Sequence, residues 1–201
     1  AAINGTANAD TLAGAAEDDI IRGLAGADVL TGGVGNDTIY GASAVIDTVD
    51  GADSINGESG NDEIYGNAGN DTITGTAGID LVFGGSGNDI IDYSASAEVA
   101  TLHGNDGNDT LTGGTASDVI RSGAGTDSVA GGAGDDTIYG GAAPNDTTDG
   151  KDTIDGGAGN DLIYANAGDD LVYGSNGQDT VYGGAGADTI NYSGNTNIVQ
   201  L

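Results

Sequence analysis

Cysteine, methionine and tryptophan are absent from these 201 residues, and phenylalanine, proline and histidine occur once each. Without cysteine no disulfide framework can hold the fold together, and a zinc or copper site has almost no soft ligand to use. Basic residues are nearly missing too: three Lys and Arg stand against 32 Asp and Glu, a formal net charge of −29. That imbalance repels phosphate backbones and anionic lipid headgroups, so no nucleic acid and no acidic membrane surface is expected as a partner. No apolar run approaches the roughly 20 residues that a membrane-spanning helix needs, so no membrane insertion is expected. An N-terminal signal pattern is also missing, and the chain opens at Ala1 without Met, as a processed product or excised fragment would.

What the chain has in quantity is glycine, 40 residues of it, and aspartate. They are ordered in a nine-residue phrase, Gly-Gly-x-Gly-x-Asp-x-aliphatic-x, with clean copies at 32–40 (GGVGNDTIY), 131–139 (GGAGDDTIY) and 156–164 (GGAGNDLIY). The phased Asp residues are Asp10, Asp19, Asp28, Asp37, Asp53, Asp62, Asp71, Asp80 and Asp89. They continue as Asp109, Asp118, Asp127, Asp136, Asp152, Asp161, Asp170, Asp179 and Asp188. Each precedes an aliphatic residue by two positions, a regularity that random acidic tracts do not keep. A repeat of this kind is the signature of a solenoid.

A longer period lies over the short one. Shifted by 99 residues, the sequence superimposes on itself without a gap and with about half its positions identical. Two copies therefore occupy 1–99 and 100–198, within one continuous unit over 1–201. In each copy the phrase breaks twice. Residues 41–56 and 140–155 read as an enlarged turn, seven residues longer than one repeat; Asp47, Asp50, Asp146 and Asp149 there are extra ligands or solvated loop acids. Tyr93 to His103, echoed at 192–201, reads as a coil without cation ligands that keeps some alternation.

Helix is excluded by the glycine content, since each Gly costs roughly 1 kcal/mol against Ala in a helix. Each repeat instead predicts a Gly-rich turn followed by a three-residue strand such as Thr38-Ile39-Tyr40, with the middle side chain inward. Two repeats make one coil, and stacked coils make two parallel sheets with aliphatics between them. The outward residue after each aliphatic then forms a ladder on one sheet: Arg22, Tyr40, Tyr65 and Phe83, and again Arg121, Tyr139, Tyr164 and Tyr182, with Tyr173 on the opposite sheet. The ladder is a stabiliser of the sheet or a contact surface for glycan or protein. His103 stands alone, with no role assigned.

Turns of this composition leave carbonyl oxygens and a carboxylate directed at one spot, which suits a hard cation with six to eight oxygen ligands, calcium rather than magnesium. Stacked coils bring like charges together, so the ion-free chain is expected to be disordered and the metal to fold it. Identical repeats do not supply the two unlike carboxylates of acid–base catalysis, and neither a Ser-His-Asp arrangement nor a phosphate loop is present, so no enzyme is expected.

The phased phrases resemble the RTX, or hemolysin-type calcium-binding, repeat family. That resemblance implies an all-β, right-handed parallel β-roll, with on the order of ten Ca2+ ions held between successive turns. It implies ligands from the phased Asp residues and from carbonyls such as those of Gly33, Gly35, Gly157 and Gly159. It also implies type I secretion and folding outside the cell. Asn8, Glu17 and Ala116 replace the third Gly of their turns, and Lys151 brings a cation into another; these sites depart from the pattern. The reading is a calcium-binding structural module, secreted or on a bacterial cell surface, a surface-layer or adhesin rod that binds copies of itself or cell-surface glycan. The alternative is the folding and secretion module of a type I-secreted enzyme or toxin.

Overall fold

The computed structural model describes residues 1–43, 50–142 and 149–192, and the backbone of 198–200. Within them the chain is a parallel β-solenoid of about ten turns, with twenty-one strands and no helix. No helix among the described residues is therefore long and apolar enough to cross a membrane.

Strands alternate between two faces of the coil. Eleven of them, from Ala2–Asn4 through Thr38–Tyr40 to Ile198–Gln200, form the first sheet; ten, from Thr11–Ala13 to Thr189–Asn191, form the second. Every pairing is parallel and in register, so that Ile21 faces Ile39 and Ile39 faces Ile64. The aliphatic of each phrase thus falls between the sheets: Ile39, Ile64, Ile73, Ile120 and Ile163 are wholly buried, while their strand neighbours point outward. The core is a single file of Ile, Leu and Val from each side, closed by stacking rather than by large side chains. This explains how the chain dispenses with tryptophan and methionine.

Most coils repeat after 18 residues, as in the pairing of Ile21 with Ile39. The enlarged turn raises the step to 25, as between Asp28 and Asp53 and again between Asp127 and Asp152. The insertion is thus accommodated at one flank without disturbing either sheet. Asp50 and Asp149 belong to its described part; Asp47 and Asp146 lie outside the described residues.

The stretch read as a coil without cation ligands keeps its place in the stack. Ala100–Asp106 is a full strand of the first sheet, paired with Asp80–Ser86 on one side and Val119–Ala124 on the other. The coil around it runs to 20 residues, measured from Asp89 to Asp109. Two extra residues and a missing turn Asp are absorbed because Leu102 still reaches the core, fully buried.

Candidate metal centres

The phased Asp residues stand in two ranks, one on each flank of the solenoid, and the two oxygens of each carboxylate do different work. Oδ1 accepts the backbone N–H of the Asp one coil earlier. On the flank leading into the second sheet this chain of bonds is unbroken: Asp53 donates to Asp71, Asp71 to Asp89, Asp89 to Asp109 and Asp109 to Asp127, each at 2.8 Å. It extends to Asp10 at one end and to Asp188 at the other. On the opposite flank Asp19, Asp37, Asp62 and Asp80 are linked in the same way, as are Asp118, Asp136, Asp161 and Asp179. Between these two runs Ala100 occupies the place of an Asp; it donates its N–H to Asp118 but offers no carboxylate to Asp80.

Oδ2 is the oxygen free for a cation. In Asp28, Asp37, Asp53, Asp62, Asp71, Asp89, Asp109, Asp127, Asp136, Asp152, Asp161 and Asp170 it is buried and accepts no hydrogen bond. These residues are at most 3% exposed. Burying an unpaired carboxylate oxygen costs several kcal/mol unless a positive charge meets it. Burial accordingly pushes Asp71 and Asp152 up to about 8, and Asp53, Asp62, Asp109 and Asp136 to about 7. Neighbouring carboxylates add to the shift, and the N–H bond to Oδ1 opposes it.

The space in front of Oδ2 is kept open by the first glycine of the phrase. A Cβ built on Gly66 would lie 2.5 Å from Asp71 Oδ2 and 2.4 Å from the carbonyl oxygen of Gly84 in the next coil. On Gly32 the same atom would meet Asp37 Oδ2 and the Gly57 carbonyl, each at 2.6 Å. On Gly131 it would meet Asp136 Oδ2 at 2.5 Å and the Gly156 carbonyl at 2.4 Å. A carboxylate and a carbonyl oxygen thus converge on a point that a methyl group would fill. The donor set is all oxygen and anionic, which fits calcium.

Sequence reasoning did not single out these first-glycine carbonyls. The carbonyls it named, those of Gly33, Gly35, Gly157 and Gly159, each meet the adjacent coil. The Gly157 oxygen accepts the N–H of Asn176 at 2.8 Å, and that of Gly33 faces the Ser59 hydroxyl at 3.4 Å. The Gly35 and Gly159 oxygens press on the α-carbons of Gly60 and Gly177, where a Cβ would lie 1.6 and 1.5 Å away. What Gly33 supplies is conformation: its φ of 107° is left-handed, as is that of Asn67, Asn105 and Asn166 at the equivalent place.

Three turns differ, and they are the three in which Asn8, Glu17 and Ala116 stand for the third Gly. There the second residue is not left-handed, and its N–H turns inward to the free oxygen. Thr6 donates to Asp10 Oδ2 at 2.6 Å, Ala15 to Asp19 Oδ2 at 2.9 Å and Gly114 to Asp118 Oδ2 at 2.7 Å. In each of them Oδ2 is engaged by a backbone N–H.

A fourth turn is closed by a side chain. Tyr93 stands where the first Gly of a phrase belongs and is fully buried. Its ring and hydroxyl lie 2.4–2.5 Å from where a Cβ on Gly75 would sit, the space that other turns leave open beside their Asp. Burial, together with the Asp80 carboxylate, raises the Tyr93 phenol well above its ordinary range. Tyr192, 99 residues on, is half-buried and raised likewise beside Asp179.

The outer face of the first sheet carries the expected ladder, made continuous by a residue the sequence left unassigned. Tyr40, Tyr65 and Phe83 stack at 5.1 Å, and His103 follows Phe83 at 4.7 Å. His103 is in register with Arg121, which lies over Tyr139 at 4.9 Å, as Arg22 lies over Tyr40 at 5.2 Å. Tyr139, Tyr164 and Tyr182 complete it, and Tyr173 is on the other sheet. Burial and Arg121 hold the His103 imidazole below its usual pKa, so it stacks as a neutral ring.

Lys151 is exposed, and its charge acts on Asp170, where it partly opposes the upward shift. Asp149 lies closer to a cation site: its carboxylate and those of Asp127 and Asp152 approach within 4.8 Å of one another.

Comparison with protein families agrees with this geometry. The model of the RTX calcium-binding nonapeptide repeat matches residues 4–43, 47–82, 65–96, 100–129, 122–143, 146–181 and 172–199. No individual curated protein matches the chain. With repeats matched from end to end and a parallel roll built from them, the chain belongs to the RTX calcium-binding repeat family.

Proposed function

We propose that this calcium-binding structural module folds outside the cell as calcium fills the positions between successive turns, and then serves as a rod in a surface layer or adhesin. The observation that carries the reading is the set of buried Oδ2 atoms that accept no hydrogen bond, those of Asp71, Asp109 and Asp152 among them. A fold that gathers so many anionic oxygens without donors is complete only with cations. Asp Oδ2 and the first-position carbonyl of the next coil hold each ion where glycine leaves its place open; Ser122 and Ala165 stand at that position in the turns of Asp127 and Asp170. Calcium supplies the positive charge that lets the carboxylates be buried ionised.

The ladder supports a mechanical role over glycan capture. Its rings stack face to face, so a sugar finds ring edges rather than an open aromatic face. Circular dichroism in excess chelator and then in millimolar calcium tests the reading, with light scattering on the same sample. Little β-structure without calcium and full β-structure with it are expected, followed by calcium-dependent growth in particle size. Full β-structure in chelator would falsify the folding step, and a monomer at all calcium levels would remove self-assembly.

A further inference from the structure

The enlarged turn contributes an acid that the nine-residue phrase does not contain. Asp149 reaches Asp127 and Asp152, which belong to successive coils of one flank, and the three offer carboxylate oxygens within 4.8 Å of one another. Asp152 is 0% exposed and Asp127 3%, and Oδ2 of each accepts no hydrogen bond. Their Oδ1 atoms are already engaged, by the N–H groups of Asp127 and Asp109. The unengaged oxygens therefore face the point that Asp149 approaches. On the side of Asp152, a Cβ on Gly140 would meet its Oδ2 at 2.8 Å and the carbonyl oxygen of Ala165 at 2.4 Å; on the side of Asp127 the first position is the buried Ser122, whose hydroxyl donates to the Gly140 carbonyl.

Asp149 is held in place by its own backbone contacts. Its Oδ1 accepts the N–H of Gly150 at 2.7 Å and that of Gly125 at 3.3 Å, the latter from the turn of Asp127. Asp50 makes the matching bond to Gly51 at 2.8 Å in the first copy, and its charge acts on both Asp53 and Asp71. The insertion thus brings the Asp149 carboxylate to this flank, with Oδ1 bonded across to the preceding coil.

We propose that Asp149 with Asp127 and Asp152 forms a three-carboxylate calcium site that fills before the other turns and starts the folding of the second copy. The proposal rests on the calcium reading above and adds an order to it. Calcium affinity rises with the number of charged ligands, and an ion at this point ties two coils and the insertion together in one event.

Calorimetric titration of the whole chain with calcium alone tests this, with D149N and D149E beside the wild type. D106N, which removes the same charge from an exposed site, is the control. An early phase is expected in the wild type and in D106N. It should be lost in D149N, with about tenfold weaker binding at the altered site, and retained in D149E. Circular dichroism at saturating calcium checks that each variant folds. Should the wild type take up calcium and D149N titrate identically, the third ligand falls while the calcium-bound roll stands. Should the wild type take up none, the calcium reading falls and this site with it.

Discussion

Asp53 gives its backbone N–H to Oδ1 of Asp71 at 2.8 Å, and Oδ2 of the same carboxylate is left facing the opening beside Gly66. One side chain therefore joins two coils and addresses a cation. The two functions separate by substitution. Asp71→Asn can keep an acceptor for the Asp53 N–H while losing the negative oxygen; Asp71→Ala loses both. In saturating calcium, thermal melts should place the Ala variant below the Asn variant by roughly 1–3 kcal/mol, the usual cost of leaving a buried donor unsatisfied. Equal melting of the two would mean that the ladder bond adds nothing.

Acid should do part of the work of calcium. Burial holds Asp71 and Asp152 up at about 8 and Asp62 and Asp136 at about 7, against an ordinary value of 3.8. Between these limits the ion-free folded form binds more protons than the unfolded chain, so its stability falls as pH rises. In chelator, β-structure should increase as pH is lowered from 8 towards 5. Calcium uptake near pH 6 should release protons, seen as a heat that varies with the ionisation enthalpy of the buffer. A chelated chain whose circular dichroism ignores pH across this window would contradict the assignment.

The duplication offers a natural pair for testing the opening itself. Gly66 and Ala165 are 99 residues apart, at the first position of equivalent turns, and Ala165 is fully buried. Gly66 has no left-handed φ, so an alanine there meets no backbone penalty, only the Asp71 carboxylate and the Gly84 carbonyl. Gly66→Ala should lower calcium uptake by about one ion, and Ala165→Gly should raise it by about one. Equilibrium dialysis at saturating calcium reads both; unchanged stoichiometry in the two variants would show that the ion lies elsewhere.

Much of the fold could be read from the chain because phase is easy to see. The alternation in Thr38-Ile39-Tyr40 gives strand, facing and register together, and a 25-residue step keeps phase as well as an 18-residue one. Closure of individual turns was harder to read. Tyr93 visibly replaces a glycine, but its ring fills the turn of Gly75, one coil earlier, and only the stacking of coils brings them together. His103 escaped for a related reason: its place beside Phe83 depends on a 20-residue coil whose length no motif announces. The carbonyls of Gly57, Gly84 and Gly156 likewise come from the neighbouring coil, so the nine-residue phrase alone shows half of each proposed cation site.

The enlarged turns also set a spacing. Both leave the same flank, after Tyr40 and after Tyr139, and five coil steps separate Ile39 from Ile138 in the first sheet. At about 4.8 Å per step the two insertions stand roughly 24 Å apart. Further 99-residue copies would extend that interval as regular graduations, so duplication lengthens the array while preserving the pitch at which any neighbour could engage it.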